Sequence, residues 1–169
     1  NRNIKSMEKD FDIAIVGAGA AGLTAAIEAK LTNPTAKVIV LEKMEEPAKK
    51  LSATGNGRGN LSNKNCELLP TVIEFFSQCG IVTRADEAGR IYPYSEEAKA
   101  VTETLTKRAK GLGVELFTEY EVRNVETNPQ GGFRIFILPD KVINAGKVLI
   151  ATGGKSFANY GSSGDGFGF

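Results

Sequence analysis

The 169-residue chain contains no histidine and no tryptophan. Without histidine it lacks the usual general base near neutral pH and the commonest metal ligand. Chemistry must then come from a cofactor, from other side chains, or from protein beyond this chain. Cysteine is nearly as scarce. Cys66 and Cys79 form neither a C-x-x-C pair nor a metal-ligand spacing, so no disulfide scaffold and no metal centre is expected. A reducing cytoplasm is the matching compartment. Cys79, close to Phe75 and Phe76, reads as a small buried hydrophobe. No apolar run approaches the roughly 20 residues of a membrane span. Neither charge is in excess: 21 Lys and Arg against 20 Asp and Glu, interspersed, leave a formal net charge of +1. That balance argues against a nucleic-acid or membrane surface and for a small-molecule partner. With 41% apolar and 24% charged residues, the composition is that of an ordinary globular domain with a real core.

What the chain has in quantity is glycine, and its placement is informative. The strand-like run Asp12-Ile13-Ala14-Ile15-Val16 stops at Gly17-Ala18-Gly19-Ala20-Ala21-Gly22, a G-x-G-x-x-G spacing, and a helical stretch follows from Leu23. Gly17 permits the tight turn, Gly19 lets a pyrophosphate approach the backbone, and Gly22 lets the helix sit close on the strand. The helix N-terminus, with its unpaired N–H groups and partial positive charge, suits a phosphate. Lys37 to Leu41 reads as a second buried strand ending at Glu42, twenty residues past Gly22. A carboxylate there accepts hydrogen bonds from an adenosine ribose and repels a 2′-phosphate, so FAD or NAD is expected rather than NADP.

Asn1 to Ser6 is patternless, and Met7 has the look of an initiator, so residues 1–6 are expected to be a leader outside the fold. Helix one runs to about Leu31, and Asn33-Pro34 breaks it. From Lys43 to Asn65 the chain turns to Pro, Gly, Asn, Ser and Lys, as a ligand-wrapping loop or a flexible surface loop would. Pro70 to Cys79 is an amphipathic helix with Val72, Ile73 and Phe76 on its apolar face. Ile81 to Tyr94 forms a hairpin around Glu87-Ala88-Gly89-Arg90. A helix N-capped by Ser95 and closed by Gly111 carries the stripe Ala98, Val101, Leu105, Ala109 and Leu112. Val114 to Phe117 is a third parallel strand. Three antiparallel strands follow near Glu121–Glu126, Gly132–Leu138 and Lys141–Asn144. Lys147 to Ile150 then re-enters the parallel sheet and ends in Ala151-Thr152-Gly153-Gly154.

The expected fold class is therefore α/β: a Rossmann-like FAD/NAD(P)-binding domain, with helices on one face of a parallel sheet and a small antiparallel β-meander on the other. Three separated stretches carry a more specific likeness: Lys49 to Asn63 (KKLSATGNGRGNLSN), Gly89 to Ser95 (GRIYPYS) and Ala151 to Phe169 (ATGGKSFANYGSSGDGFGF). Together they resemble the bacterial HI0933-like, or YhiN-like, flavoproteins, from Asp10 to the last residue. The resemblance implies an extended FAD with its pyrophosphate on Gly17, Ala18, Gly19, Ala20, Ala21 and Gly22. Its ribose would lie on Glu42, beside Lys43, and its adenine beside the backbone around Val122. Thr152, Gly153 and Gly154 would sit near the dinucleotide. The loop would run toward the flavin, where Gly57, Arg58 and Asn60 contact the pyrophosphate or the ring. Lys49, Lys50 and Arg58 would then stabilise negative charge there, although two solvated lysines are as natural a reading.

Members of that family are about twice this length. Residues 7–169 would then be the N-terminal part of the FAD-binding domain, with an inserted substrate domain and a return segment elsewhere in the protein. Where relatives commonly read G-R-C-N, this chain has Gly57-Arg58-Gly59-Asn60, so a redox role for that cysteine is lost. No cysteine pair follows the first β-α-β unit, which disfavours the flavin disulfide reductases. The expected function is an FAD-dependent oxidoreductase reduced by NAD(P)H, with no catalytic residue assignable from these residues. An NAD-dependent dehydrogenase and a non-catalytic flavin-binding protein are the alternatives.

Overall fold

A computed structural model describes residues 10–154 together with Gly166 and Gly168. The leader at residues 1–6, Met7, and the stretch from Lys155 to Asp165 lie outside the described residues.

The first β-α-β unit forms as its pattern requires. β1 (Asp10–Val16) leads through the glycine turn into α1 (Ala20–Thr32) and back to β2 (Val38–Leu41). β1 and β2 pair in parallel, Ile13 opposite Val38 through Val16 opposite Leu41. All four residues of β2 are buried because both faces of the sheet are covered. Val38 and Val40 join Ile15 against Leu23 and Ile27 of α1. Ile39 and Leu41 join Ala14 and Val16 on the opposite face. The α1–β2 connection is tied down by Lys30. Its ammonium is buried and donates to the carbonyls of Pro34 and Ala36, the second at 2.9 Å.

The 43–65 stretch is not a featureless loop. It holds α2 (Lys49–Ser52), a 3-10 turn over Thr54–Gly57, and β3 (Ser62–Asn63). β3 pairs antiparallel with β5 (Arg90–Pro93), which also pairs with β4 (Thr83–Ala85), making a separate three-stranded sheet. Between them α3 (Leu69–Gln78) packs through Phe75 and Phe76; Ile73, expected in its apolar face, is exposed. Cys79 is buried as expected, and desolvation pushes its thiol above the ordinary value against the opposing pull of Arg108.

α4 (Ala98–Gly111) begins two residues later than the Ser95 cap predicts. Glu96 adopts a left-handed φ of 54°, its N–H bonds the Pro93 carbonyl, and its carboxylate pairs with Arg84. The chain therefore turns once more before helix begins, and Glu97 occupies the cap position. The helix ends at Gly111 as expected, with the left-handed residue two positions further on, at Gly113. The core stripe holds: Ala98, Val101, Leu105 and Ala109 are buried.

β6 (Glu115–Phe117) extends the parallel sheet beside β2. β7 (Val122–Thr127) and β8 (Phe133–Ile137) then form the first two strands of the meander. Its third strand and the returning parallel strand, expected as two, are one. β9 (Lys141–Ile150) pairs antiparallel with β8 through Lys141–Ala145 and parallel with β1 through Asn144–Ile150. No turn separates the two parts, but the alternation shifts at Gly146, which passes close to the Asp12 carbonyl: Ile143 and Ala145 before it and Val148 after it pack on the same core. The sheet order is β6-β2-β1-β9-β8-β7. Val122, Ile135, Ile137 and Ile143 fold onto the face opposite the helices, so the two-faced architecture stands.

Candidate functional site

The strands β1, β2 and β9 end together, and a groove of about 330 Å³ opens where they do. Switch points at the carboxyl ends of parallel strands are where such sheets bind ligands. The three glycines of the turn behave differently from one another. A Cβ on Gly22 would stand 1.9 Å from the Gly17 carbonyl oxygen, and one on Gly17, at φ 102°, would stand 2.6 Å from that of Ala151. A Cβ on Gly19 would meet nothing within 4 Å. Two glycines are thus demanded by the protein's own backbone, while the third faces open space. Gly19 also caps α1 without any side-chain hydrogen bond, leaving the first-turn N–H groups of Ala20 and Ala21 pointed at the groove.

Glu42 sits at the mouth, half-buried. Its Oε2 accepts from the Ala18 N–H at 2.8 Å and its Oε1 from the Met44 N–H at 2.9 Å. A carboxylate offers about four lone-pair sites. Two more are then left, as many as the vicinal hydroxyls of a ribose. Ala18 is buried behind the turn with its N–H committed to Glu42, and Gly22 is likewise buried inside α1.

Of the remaining residues singled out in the sequence, Lys43 and Lys50 line the groove on the β2 side, together with Lys49. Val122 lines it from the meander, and Thr152 and Gly153 from the end of β9. Gly154 follows just outside, exposed. The Thr152 hydroxyl accepts from the Gly166 N–H at 3.1 Å, bringing a distant part of the chain back to this rim. A dinucleotide fits these features: open glycine, helix N–H groups without helical partners, and a carboxylate held by two backbone N–H groups, with Lys43, Lys49 and Lys50 lining the groove alongside Glu46 and Glu121.

Gly57, Arg58 and Asn60 are not in the groove lining. Gly55, Asn56 and Gly57 take left-handed angles in succession, and Gly59 adds another at φ 77°. Arg58 is folded back onto the small sheet. Its Nε donates to the Gly55 carbonyl at 3.3 Å, its Nη2 to the Tyr92 hydroxyl at 3.4 Å, and its guanidinium lies 4.6 Å from the Tyr92 ring centre. Two of the stretches that carry the family likeness therefore touch each other at Arg58 and Tyr92.

Sequence reasoning missed several lining residues. Met44, Ala48, Leu51, Thr54 and Tyr120 all contribute. Ala48 is buried with a left-handed φ of 56°, and its N–H bonds the Ala18 carbonyl at 2.9 Å, bracing the turn from behind. No local pattern announces an alanine in that conformation. Tyr120 is an aromatic in a short connection, and only its place beside Glu42 makes it part of the site.

Fold and groove together define a Rossmann-type nucleotide-binding domain of the flavoprotein kind. Residues 12–63 match the FAD binding domain, which decides between the cofactors that the glycine turn leaves open. Residues 70–169 match the HI0933-like protein Rossmann domain, and the chain belongs to that family. The 3-dehydro-bile acid delta(4,6)-reductase of Clostridium scindens is 33% identical over 176 residues, covering 92% of this chain and 42% of the relative. The L-2-hydroxyglutarate dehydrogenase of Indibacter alkaliphilus is 38% identical over 66 residues, covering 34% and 16%. The chain thus spans less than half the length of these relatives. Thermovibrio ammonificans THI4 superposes with a TM-score of 0.65 at 21% identity, over 85% of this chain and 58% of that one. The 3-ketosteroid-delta4-(5alpha)-dehydrogenase of Rhodococcus jostii gives 0.62 at 16% identity, over 89% and 47%. At those identities the likeness is one of fold. Among the described residues, no helix is long and apolar enough to cross a membrane, and no cluster of His, Cys, Asp or Glu is placed to hold a metal.

Proposed function

We propose that this chain is the FAD-binding part of a cytoplasmic, FAD-dependent oxidoreductase that acts on a small-molecule substrate and takes its electrons from NAD(P)H. The observation that carries the reading is Glu42, held at the groove by two backbone N–H groups beside an open Gly19 and an uncapped helix N-terminus. The pyrophosphate lies along Gly17 to Gly22, on the N–H groups of Ala20 and Ala21. The ribose hydroxyls donate to the remaining lone pairs of Glu42, and the base lies toward Val122. Lys43 and Lys50 line the rim where anionic ligand oxygens pass, and Thr152, Gly153 and Gly154 close the other side. The flavin, when bound, supplies the hydride or electron transfer that this histidine-free chain does not. The chain's own residues bind and orient it and keep water from the buried strand ends. Gly57, Arg58 and Asn60 stand on the loop next in line beyond α2, and reach the cofactor's flavin half only if Arg58 swings off Tyr92. The relatives named as a reductase and a dehydrogenase support redox chemistry.

The test is the visible spectrum of the protein as purified, followed by heat release and identification of the chromophore. A released flavin of FAD mass is expected. A colourless protein that also refuses added FAD overturns the reading. Glu42→Ala removes a charge-assisted hydrogen bond worth about 1.5–3 kcal/mol, and FAD affinity should fall about tenfold to a hundredfold. Unchanged affinity would put the ribose elsewhere.

A further inference from the structure

Glycine is the residue with the most backbone freedom to lose, and the turn from Gly17 to Gly22 carries three. Ala18 is where that freedom is taken away. Its N–H donates to the Glu42 carboxylate at 2.8 Å, and its carbonyl accepts from the Ala48 N–H at 2.9 Å. The peptides on both sides of Ala18 are therefore clamped, one by an acid and the other by an alanine. The second clamp fixes more than a carbonyl. The Ala18–Gly19 peptide is trans, so its N–H lies antiparallel to its C=O. Tying the carbonyl to Ala48 turns the Gly19 N–H the other way, and that N–H has no partner among the described residues. Ala48 makes its bond from an unfavourable conformation. Its φ of 56° is left-handed, a region that a residue with a Cβ holds only where its surroundings impose it. In that setting its N–H faces the turn while its carbonyl accepts from the N–H groups of Leu51 and Ser52. Ala48 thereby starts α2, which carries Lys49 and Lys50 to the groove.

We infer that Ala48 is a positioning residue for the phosphate side of the groove. Through the Ala18 carbonyl it holds the Gly19 N–H and the start of α1 in the orientation that a pyrophosphate meets. The inference deepens the proposed function and rests on its reading of the groove. Ala48 acts here without touching the ligand. A turn held in its bound shape beforehand has less freedom to lose on binding, and the difference appears as affinity. The effect belongs to the phosphates, because Glu42 keeps its own bonds to the Ala18 and Met44 N–H groups. Releasing the Ala48 clamp should therefore weaken ligands that carry a pyrophosphate and spare those that carry none.

The experiment compares ADP with adenosine on the whole protein freed of bound flavin, in the parent, Ala48→Val and Ala48→Gly. ADP is followed by titration calorimetry and adenosine by its displacement of ADP. A β-branched residue at positive φ is a steric outlier, so in Ala48→Val the chain should leave the left-handed region and its N–H should leave Ala18. ADP should weaken about tenfold and adenosine less than about twofold. Glycine keeps the N–H and takes this φ freely, so the ADP loss in Ala48→Gly should be about threefold smaller or less. Valine also adds bulk at a buried position. Should Ala48→Val fail to fold, a backbone ester decides, made by incorporating L-lactic acid in place of Ala48. The ester keeps the methyl group and replaces only the N–H with oxygen. It should weaken ADP about threefold to tenfold and adenosine less than about twofold. Equal losses for ADP and adenosine would make Ala48 a support of the fold only and overturn the inference. A glycine variant as weak as the valine one overturns it too. If the parent binds neither ADP nor FAD, the nucleotide reading of the groove falls and this inference with it. ADP and FAD bound by the ester protein as by the parent remove this inference alone.

Discussion

The glycine turn after β1 and the glycine-rich loop around Arg58 use the same residue for opposite ends. In the turn, two glycines are fixed by backbone atoms of the turn itself and of the neighbouring strand end: Gly22 against the Gly17 carbonyl, Gly17 against Ala151. In the loop, they are fixed by side chains and helix ends brought from elsewhere. A Cβ on Gly55 would stand 2.9 Å from the Tyr92 ring, and one on Gly59 would stand 3.0 Å from Cα of Ala98 at the start of α4. The first arrangement needs only the turn and the end of β9 beside it. The second exists only once the small sheet and α4 are in place. The lesson is that a glycine motif is fitted to neighbouring backbone in one region and to a remote side chain and a helix start in the other.

The sharpest way to break the comparison is inside the turn. Gly22→Ala places a methyl 1.9 Å from a carbonyl oxygen that has nowhere to go, and should cost about 3 kcal/mol, read as a lower denaturant midpoint. Gly19→Ala adds a methyl to open space, and stability should stay within about 0.5 kcal/mol while FAD affinity falls. If both variants lose stability alike, the distinction between packing glycine and ligand glycine is wrong.

The loop should break from a distance. Tyr92 is buried and holds Gly55 and Arg58 together. Tyr92→Leu should destabilise by about 2–3 kcal/mol through lost packing and the lost cation–π contact. It should also make residues 53–60 the first site of proteolytic cleavage, with the turn after β1 still protected. Tyr92→Phe keeps the ring under the guanidinium and should lose under about 1 kcal/mol. Cleavage that begins in the glycine turn instead would show that the loop does not depend on the small sheet.

The smallest effect concerns the hairpin that carries Tyr92. Desolvation raises the Asp86 carboxyl, but the Arg90 N–H and guanidinium together outweigh it and hold the group below its ordinary value. A depressed carboxylate contributes stability above its unfolded pKa and loses it as pH falls through the folded one. Asp86→Asn should therefore narrow the gap between stability at pH 7 and at pH 3, slightly, because the pair is solvent-exposed. A gap that widens would reverse the assignment.

The same contrast explains what could be read from the sequence. β1, α1, β2 and Glu42 were legible because each residue answers to neighbours within a few positions or to one parallel partner. The buried stripe of α4 was legible for the same reason. The start of that helix was not, because the chain takes one further turn at Glu96, whose N–H bonds the Pro93 carbonyl and whose carboxylate meets Arg84 from the hairpin. Arg58 looked like a ligand residue because it is flanked by glycines, whereas its present partners, Gly55 and Tyr92, are a local carbonyl and a remote ring. Tyr120 escaped notice because a lone aromatic in a short connection carries no periodicity.

β9 has a consequence for how this fold tolerates change. One uninterrupted strand joins the two halves of the sheet: it is the last strand of the parallel set, beside β1, and the strand of the meander that adjoins that set. Its alternation shifts once, at Gly146: Ile143 and Ala145 before it and Val148 after it lie against the same core, so the phase of each half is set at that one residue. One residue inserted near Gly146 would turn everything after it by half a repeat, moving Lys147 toward the interior and Val148 toward solvent, and shifting Thr152 and Gly153 off the groove rim. The hairpin tip at Asn128–Gly131 has no such inheritance. Evolution and engineering alike can lengthen the meander freely at that tip, and scarcely at all along the strand that anchors it.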